Sequence, residues 1–262
     1  MKLAFSTLGC PDLTLMQAIR TAAQLGFQGI EIRGIGNHLH ARDIEELCGE
    51  KKERSLRYAK ENGITFCCLG ASASFHEKEK QKENMDEALE TVRLASACGI
   101  PYVRVFGNSL TKSDENTQIA DVANQLRLLC TAAKPTNVHI LLEVHGDFNT
   151  SERILKTASL VGCDNFGIIW DIKHSTDEPA EFWKNTKHLI RHIHLKDSTQ
   201  NGLCSFGEGT LGVEKTVRMI AEDGYDGFFS LEWEKRWHPQ LRDAAAEFPH
   251  FVRKMKEILQ NG

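Results

Sequence analysis

The sequence predicts an α/β chain folded as a single (β/α)8 TIM barrel over residues 1–262, and three observations predict it. Eight short β-rich runs alternate strictly with amphipathic stretches, which means a parallel sheet with helices outside. The repeat is roughly 33 residues, the size of one βα unit. Glycine recurs at several joints where a helix should stop, as in Leu25-Gly26-Phe27, Asn62-Gly63-Ile64, Cys98-Gly99-Ile100 and Asp223-Gly224-Tyr225, because it takes the left-handed C′ conformation without a Cβ clash. A doubly wound open sheet also alternates, but it usually has fewer strands.

In chain order, Lys2–Thr7 reads as the first strand and Thr14–Leu25 as the first helix, with apolar residues three and four apart. Strands follow at Gly29–Arg33, Ile64–Gly70, Tyr102–Gly107, Val138–Val144, Phe166–Asp171, Ile190–Lys196 and Gly227–Glu232, each bounded by Gly, Asn, Pro or Asp. Helical periodicity marks Asp43–Asn62, Glu79–Cys98, Thr117–Lys134, Val213–Asp223 and finally Gln240–Gln260.

Composition narrows the function. With 36 acidic residues against 32 Lys and Arg, the formal charge is −4, so no chain-wide basic footprint awaits a phosphate backbone and no nucleic-acid partner is expected. The longest apolar runs, such as Ile140–Leu142 and Ile168–Trp170, fall far short of the roughly 18 residues that span a bilayer. The N-terminus enters a strand at once and lacks a signal-peptide apolar segment, and the eight cysteines show no C-x-x-C spacing. A cytoplasmic protein with reduced thiols, each a small buried hydrophobe, is the expectation.

Active sites of such barrels are built at the C-terminal ends of the strands. There the second half is distinctive: the fifth strand ends Glu143-Val144-His145, the sixth Trp170-Asp171, the seventh His192-Ile193-His194-Leu195-Lys196 and the eighth Leu231-Glu232. The two-residue period places Glu143 with His145, and His192 with His194 and Lys196, on the inner face, while Trp170 opposes Asp171 and faces the outer helices. Several carboxylates with an imidazole, and no Cys among them, suit Mn²⁺, Co²⁺, Mg²⁺ or Zn²⁺ rather than Cu(I) or an Fe–S cluster. Their bland alternative is a salt-bridge network in the barrel mouth.

Glu143, Asp171-Ile172-Lys173-His174, His192-Ile193-His194-Leu195-Lys196-Asp197, Phe206-Gly207-Glu208-Gly209, Gly224-Tyr225-Asp226-Gly227 and Ser230-Leu231-Glu232 together resemble the xylose-isomerase-like superfamily. More narrowly, they are similar to its sugar isomerase/epimerase branch, with inosose isomerases, inosose dehydratases and ketose 3-epimerases. The resemblance runs through the whole chain and implies Glu143, Asp171, His194 and Glu232 as ligands of one divalent metal, with His174 contacting substrate. It implies a metal-dependent isomerase or epimerase of a keto-sugar or cyclitol, free or phosphorylated, working through a metal-stabilised cis-enediolate with Glu143 and Glu232 as acid/base pair. A dehydratase would use the same metal and expel a β-hydroxyl. His174 and Lys196 would orient substrate oxygens, His145 and His192 would support the site by hydrogen bonds, and Trp233, Arg236 and Trp237 could wall the pocket. Where ketose 3-epimerases carry Arg shortly after the strand-seven His, this chain reads Lys196-Asp197-Ser198-Thr199, which weighs against that subgroup. A homo-oligomer is expected by analogy alone.

Other signals count for less. Gly207-Glu208-Gly209-Thr210-Leu211-Gly212 matches G-x-G-x-x-G, but too little chain follows for a dinucleotide domain. It reads instead as a turn whose N–H groups could receive a substrate hydroxyl or phosphate. Glu31, Arg33 and Arg104 share inward parity, and charges of both signs there are expected to pair with one another. An endonuclease-IV-like nuclease would draw further His ligands from the second and third strand regions, and Ile64–Gly70 and Tyr102–Gly107 contain no His. A non-catalytic binding barrel would keep the fold without holding metal tightly.

Overall fold

A computed structural model describes residues 2–111 and 114–260. The elements run β1 (Lys2–Ser6), α1 (Leu15–Leu25), β2 (Gly29–Ile32), α2 (Gly49–Glu61), β3 (Thr65–Ser74), α3 (Gln81–Cys98), β4 (Tyr102–Phe106), α4 (Glu115–Ala133), β5 (His139–Glu143), α5 (Ser151–Val161), β6 (Phe166–Asp171), α6 (Pro179–Thr186), β7 (Ile190–Leu195), β8 (Asp197–Thr199), β9 (Gly202–Cys204), α7 (Val213–Glu222), β10 (Phe228–Leu231) and α8 (Ala244–Gln260).

The chain divides into two compact units, one of Met1–Leu39, Ile44–Cys67 and His192–Gly262, the other of His40–Asp43 and Cys68–Arg191. In the first, β1 pairs in parallel with both β2 and β10, and β10 pairs with β7 so that Ser230 faces His194. In the second, β4 pairs with β3 and β5, and β5 with β6, again in parallel. The strand order β1-β10-β7-β6-β5-β4-β3-β2 is that of a closed barrel, as the alternation predicts.

Local chemistry fixes the elements. Thr14 and Gln17 form a capping box that starts α1, and Gly26 ends it at φ 84°, each device satisfying backbone groups that the helix leaves open. Pro179 opens α6 at a position where its missing N–H costs nothing. The first unit's core centres on Phe5, whose ring meets Phe27 edge-on at 5.0 Å and lies 4.3 Å from Phe248 of α8. In the second, Trp170 stacks on Phe182 and Trp183 of α6 at 5.0 and 6.0 Å, so it does point outward, opposite Asp171.

Three differences from the sequence reading stand out. Strand β3 runs on to Ser74 through the small residues Gly70-Ala71-Ser72-Ala73, with a register shift against β4 between Gly70 and Ser74. Helix α2 begins only at Gly49, after two short 3-10 turns at Ala41–Asp43 and Glu45–Leu47. A two-stranded antiparallel ribbon, β8 with β9, follows β7. Among the described residues, no helix is long and apolar enough to cross a membrane.

Candidate metal centre

The strand ends supply the chemistry, and the groups of each unit are described in turn. In the second unit, β5 ends on Glu143 and β6 on Asp171, both buried. The Arg104 Nε of β4 lies 3.2 Å from Glu143 Oε2, and the guanidinium rests 4.1 Å from the Phe106 ring centroid, a geometry that keeps a buried cation paired on one side and stacked on the other. Asp171 Oδ1 accepts from the backbone N–H groups of Lys173 and His174, at 2.9 and 3.3 Å, and so closes the turn that brings His174 Nε2 to 3.9 Å from Asp171 Oδ2.

His174 lies against His145, with ring centroids 4.4 Å apart. His145 Nδ1 is 3.0 Å from Asn108 Oδ1, and Asn108 Nδ2 donates to Ser74 Oγ at 2.8 Å. Asn108 sits in the left-handed region at φ 57°, and a Cβ at Gly146 would come within 2.7 Å of its carbonyl oxygen. Glycine at 146 is therefore what lets this loop approach Asn108 closely.

In the first unit the hub is a residue of β2. Glu31 Oε2 lies 2.8 Å from both His192 Nε2 and His194 Nε2 and accepts from Ser230 Oγ at 3.2 Å. His194 Nδ1 then stands 3.4 Å from Glu232 Oε2. Two ligands at roughly 2.1 Å from one tetrahedral ion would be about 3.4 Å apart, so this pair has the spacing of neighbouring ligands. Lys196 Nζ donates to Glu232 Oε2 and, at 2.6 Å, to Glu234 Oε1. Burial pushes the Glu232 carboxyl up, but His194 and Lys196 outweigh it and hold Glu232 well below the usual carboxylate range.

The remaining sequence candidates lie as follows. Trp233 is buried and donates its indole N–H to the Arg242 carbonyl at 2.8 Å, while Trp237 is 46% exposed. Arg236 donates to the Gly36 carbonyl at 2.7 Å. The glycine-rich turn differs from expectation: its anion-binding N–H groups already have an anion. Asp197 accepts from Gly207 N at 3.1 Å and Gly209 N at 2.9 Å, which leaves that nest to the protein's own carboxylate rather than to a phosphate. Glu31 lies against the two histidines and Arg104 against Glu143. Arg33 donates to the Leu39 carbonyl at 3.1 Å. Sequence reasoning missed Glu31, Asn108 and Glu234 as members of these networks. Only Glu31 left a signal, an inward acidic residue near a strand end.

The xylose isomerase-like TIM barrel model matches residues 19–255. The chain belongs to that family. It is 26% identical to an inosose dehydratase of Clostridium botulinum, over 86% of this chain and 85% of the relative. It is 23% identical to a fructoselysine 3-epimerase of Shigella flexneri, over 88% and 90%. The crystal structure of the probable 3-DHS dehydratase AsbF from Bacillus anthracis superposes with a TM-score of 0.84 at 18% identity, covering 98% of this chain and 99% of that one.

Proposed function

We propose that this protein is a divalent-metal-dependent isomerase or epimerase of a keto-sugar or cyclitol, with Glu143, Asp171, His194 and Glu232 as the ligands of one ion. The observation that carries this reading is the donor set itself. The four groups lie at or beside the C-terminal ends of β5, β6, β7 and β10, where such barrels carry their active sites, and all are buried. Against these three carboxylates Arg104 and Lys196 supply only two positive charges, so a further cation is favoured at such depth, and the donor set fits Mn²⁺, Co²⁺, Mg²⁺ or Zn²⁺.

When bound, the ion supplies Lewis-acid stabilisation of the charge that develops on a substrate carbonyl oxygen. Glu143 and Glu232 act as the acid/base pair, one taking the proton from the carbon beside the carbonyl and the other returning it. Arg104 lies against Glu143 and Lys196 against Glu232, contacts that orient the two carboxylates. His174, steered by the Asp171 turn, and His145, steered by Asn108, offer ring nitrogens to substrate hydroxyls. The relatives support this chemistry as a class, because epimerisation and dehydration both begin with removal of a proton next to a carbonyl.

A second reading, dehydration of an inosose or related β-hydroxy ketone, is favoured by one observation. Lys196 places an ammonium between Glu232 and Glu234, a proton donor suited to a departing hydroxyl. Loss of one water from the product, read by mass spectrometry across a panel of keto-sugars and inososes, separates the two readings. A reduced cytoplasmic setting suits eight cysteines, all of them free thiols, and a small-molecule substrate with self-association into a homo-oligomer completes the proposal.

Solvent-deuterium exchange tests the acid/base pair. Glu232→Gln is expected to slow exchange at the substrate α-carbon by roughly 10²–10⁴-fold while weak metal binding persists. Exchange at the full wild-type rate in that variant would remove Glu232 from the proton transfer.

A further inference from the structure

Glu31 lies outside the proposed ligand set, yet one half of the site is built around it. It sits on β2, wholly buried. Three polar groups converge on one oxygen of that carboxyl, His192 Nε2 and His194 Nε2 at 2.8 Å each and Ser230 Oγ at 3.2 Å, and an oxygen so surrounded is their shared acceptor, which puts the protons on both ring nitrogens. In a neutral imidazole the lone pair then falls on Nδ1. For His194 that is the atom 3.4 Å from Glu232 Oε2.

The buried atoms left over fit the same assignment. Glu31 Oε1 and His192 Nδ1 lack a hydrogen-bond partner among the described residues, and both are acceptors in this arrangement. No N–H of His192 is stranded. The opposite tautomer would bury the Nδ1–H of His192 without an acceptor and set two lone pairs against a carboxylate, which leaves buried polar groups unsatisfied.

We infer that Glu31 is a positioning residue that fixes His194 and His192 as Nε2–H tautomers and thereby presents the Nδ1 lone pair of His194 to the metal ion. This rests on the ligand set proposed above. Ser230, one strand over from β7 and in register with His194, donates to the same Glu31 oxygen and keeps the carboxylate from turning away. The competing occupant is a cation held by Glu31, His192 and His194 themselves, a group close enough to bind one.

Two measurements on the full chain, for wild type, Glu31→Gln and Glu31→Ala, test the inference. Long-range ¹⁵N–¹H correlation spectra of metal-free, histidine-labelled protein, with His194 assigned from a His194→Asn spectrum, report the tautomer directly. Nε2–H at His194 in wild type, lost or averaged in Glu31→Ala, supports the inference, and Nδ1–H in wild type overturns it. Zinc affinity by chelator competition is expected to fall 10–100-fold in Glu31→Gln, with one ion per chain before and after. Unchanged affinity overturns the positioning role, as does a wild-type stoichiometry of two that drops to one in Glu31→Gln. Should Glu31→Ala fail to fold, the Gln variant carries both readouts. A wild type that takes up no ion overturns the ligand set itself, and the spectra then decide tautomer control separately.

Discussion

At the scale of single residues, the site is a set of buried charges whose partners fix what each can do. His174 is held by the turn that Asp171 closes and contributes no strand of its own, so His174→Ala should lower turnover far more than metal content. Activity and elemental analysis on the same sample check this, and a variant that loses its ion would make His174 a ligand. Cys10 shows the same logic without function: burial pushes its thiol up to about 12, against a smaller opposing pull from Arg236. In native protein near pH 8 Cys10 should resist alkylation while exposed Cys48 reacts, and mass mapping of the labelled peptides reads the difference. The places of Glu143, Asp171, His194 and Glu232 at strand ends were legible in the sequence because strand-end position and side-chain type are local properties. Glu31 was not, because its partners lie 161 and 163 residues away, and parity alone could not tell an arginine from a histidine across the barrel mouth.

At the scale of elements, the strands were readable to within a residue or so wherever a β-branched run met a glycine or an aspartate. β3 escaped because its last residues are Gly, Ala and Ser, which carry no strand signature, and α2 started late because two 3-10 turns occupy charged sequence with helical composition. The glycine-rich turn was recognised as a nest, but its occupant comes from Asp197, ten or more residues earlier. A Cβ at Gly209 would fall 2.0 Å from Asp197 Oδ1 and 2.6 Å from the Ser198 carbonyl oxygen, so turning the Asp197 side chain alone does not accommodate it. Gly209→Ala is therefore expected to destabilise the fold by about 1–3 kcal/mol, the range for overpacking, read as a lowered urea midpoint with an unchanged slope. A midpoint within error of wild type would mean the turn is loose.

At the scale of the whole molecule, we take residues 1–262 as one domain, an assignment supported by a family match that runs from residue 19 to 255 through both compact units. If one ion binds the folded chain and not the unfolded one, a free concentration 100 times the dissociation constant adds about 2.7 kcal/mol of stability. For a chain of this size that is roughly 5–10 °C in melting temperature, and the shift should vanish in Glu143→Ala. The account turns on that ion. Elemental analysis of purified wild type and Glu143→Ala by inductively coupled plasma mass spectrometry tests it most directly. About one Mn, Co, Mg or Zn per wild-type chain, lost in the variant, is the predicted result. No metal in wild type after reloading, or equal metal in both proteins, would contradict it.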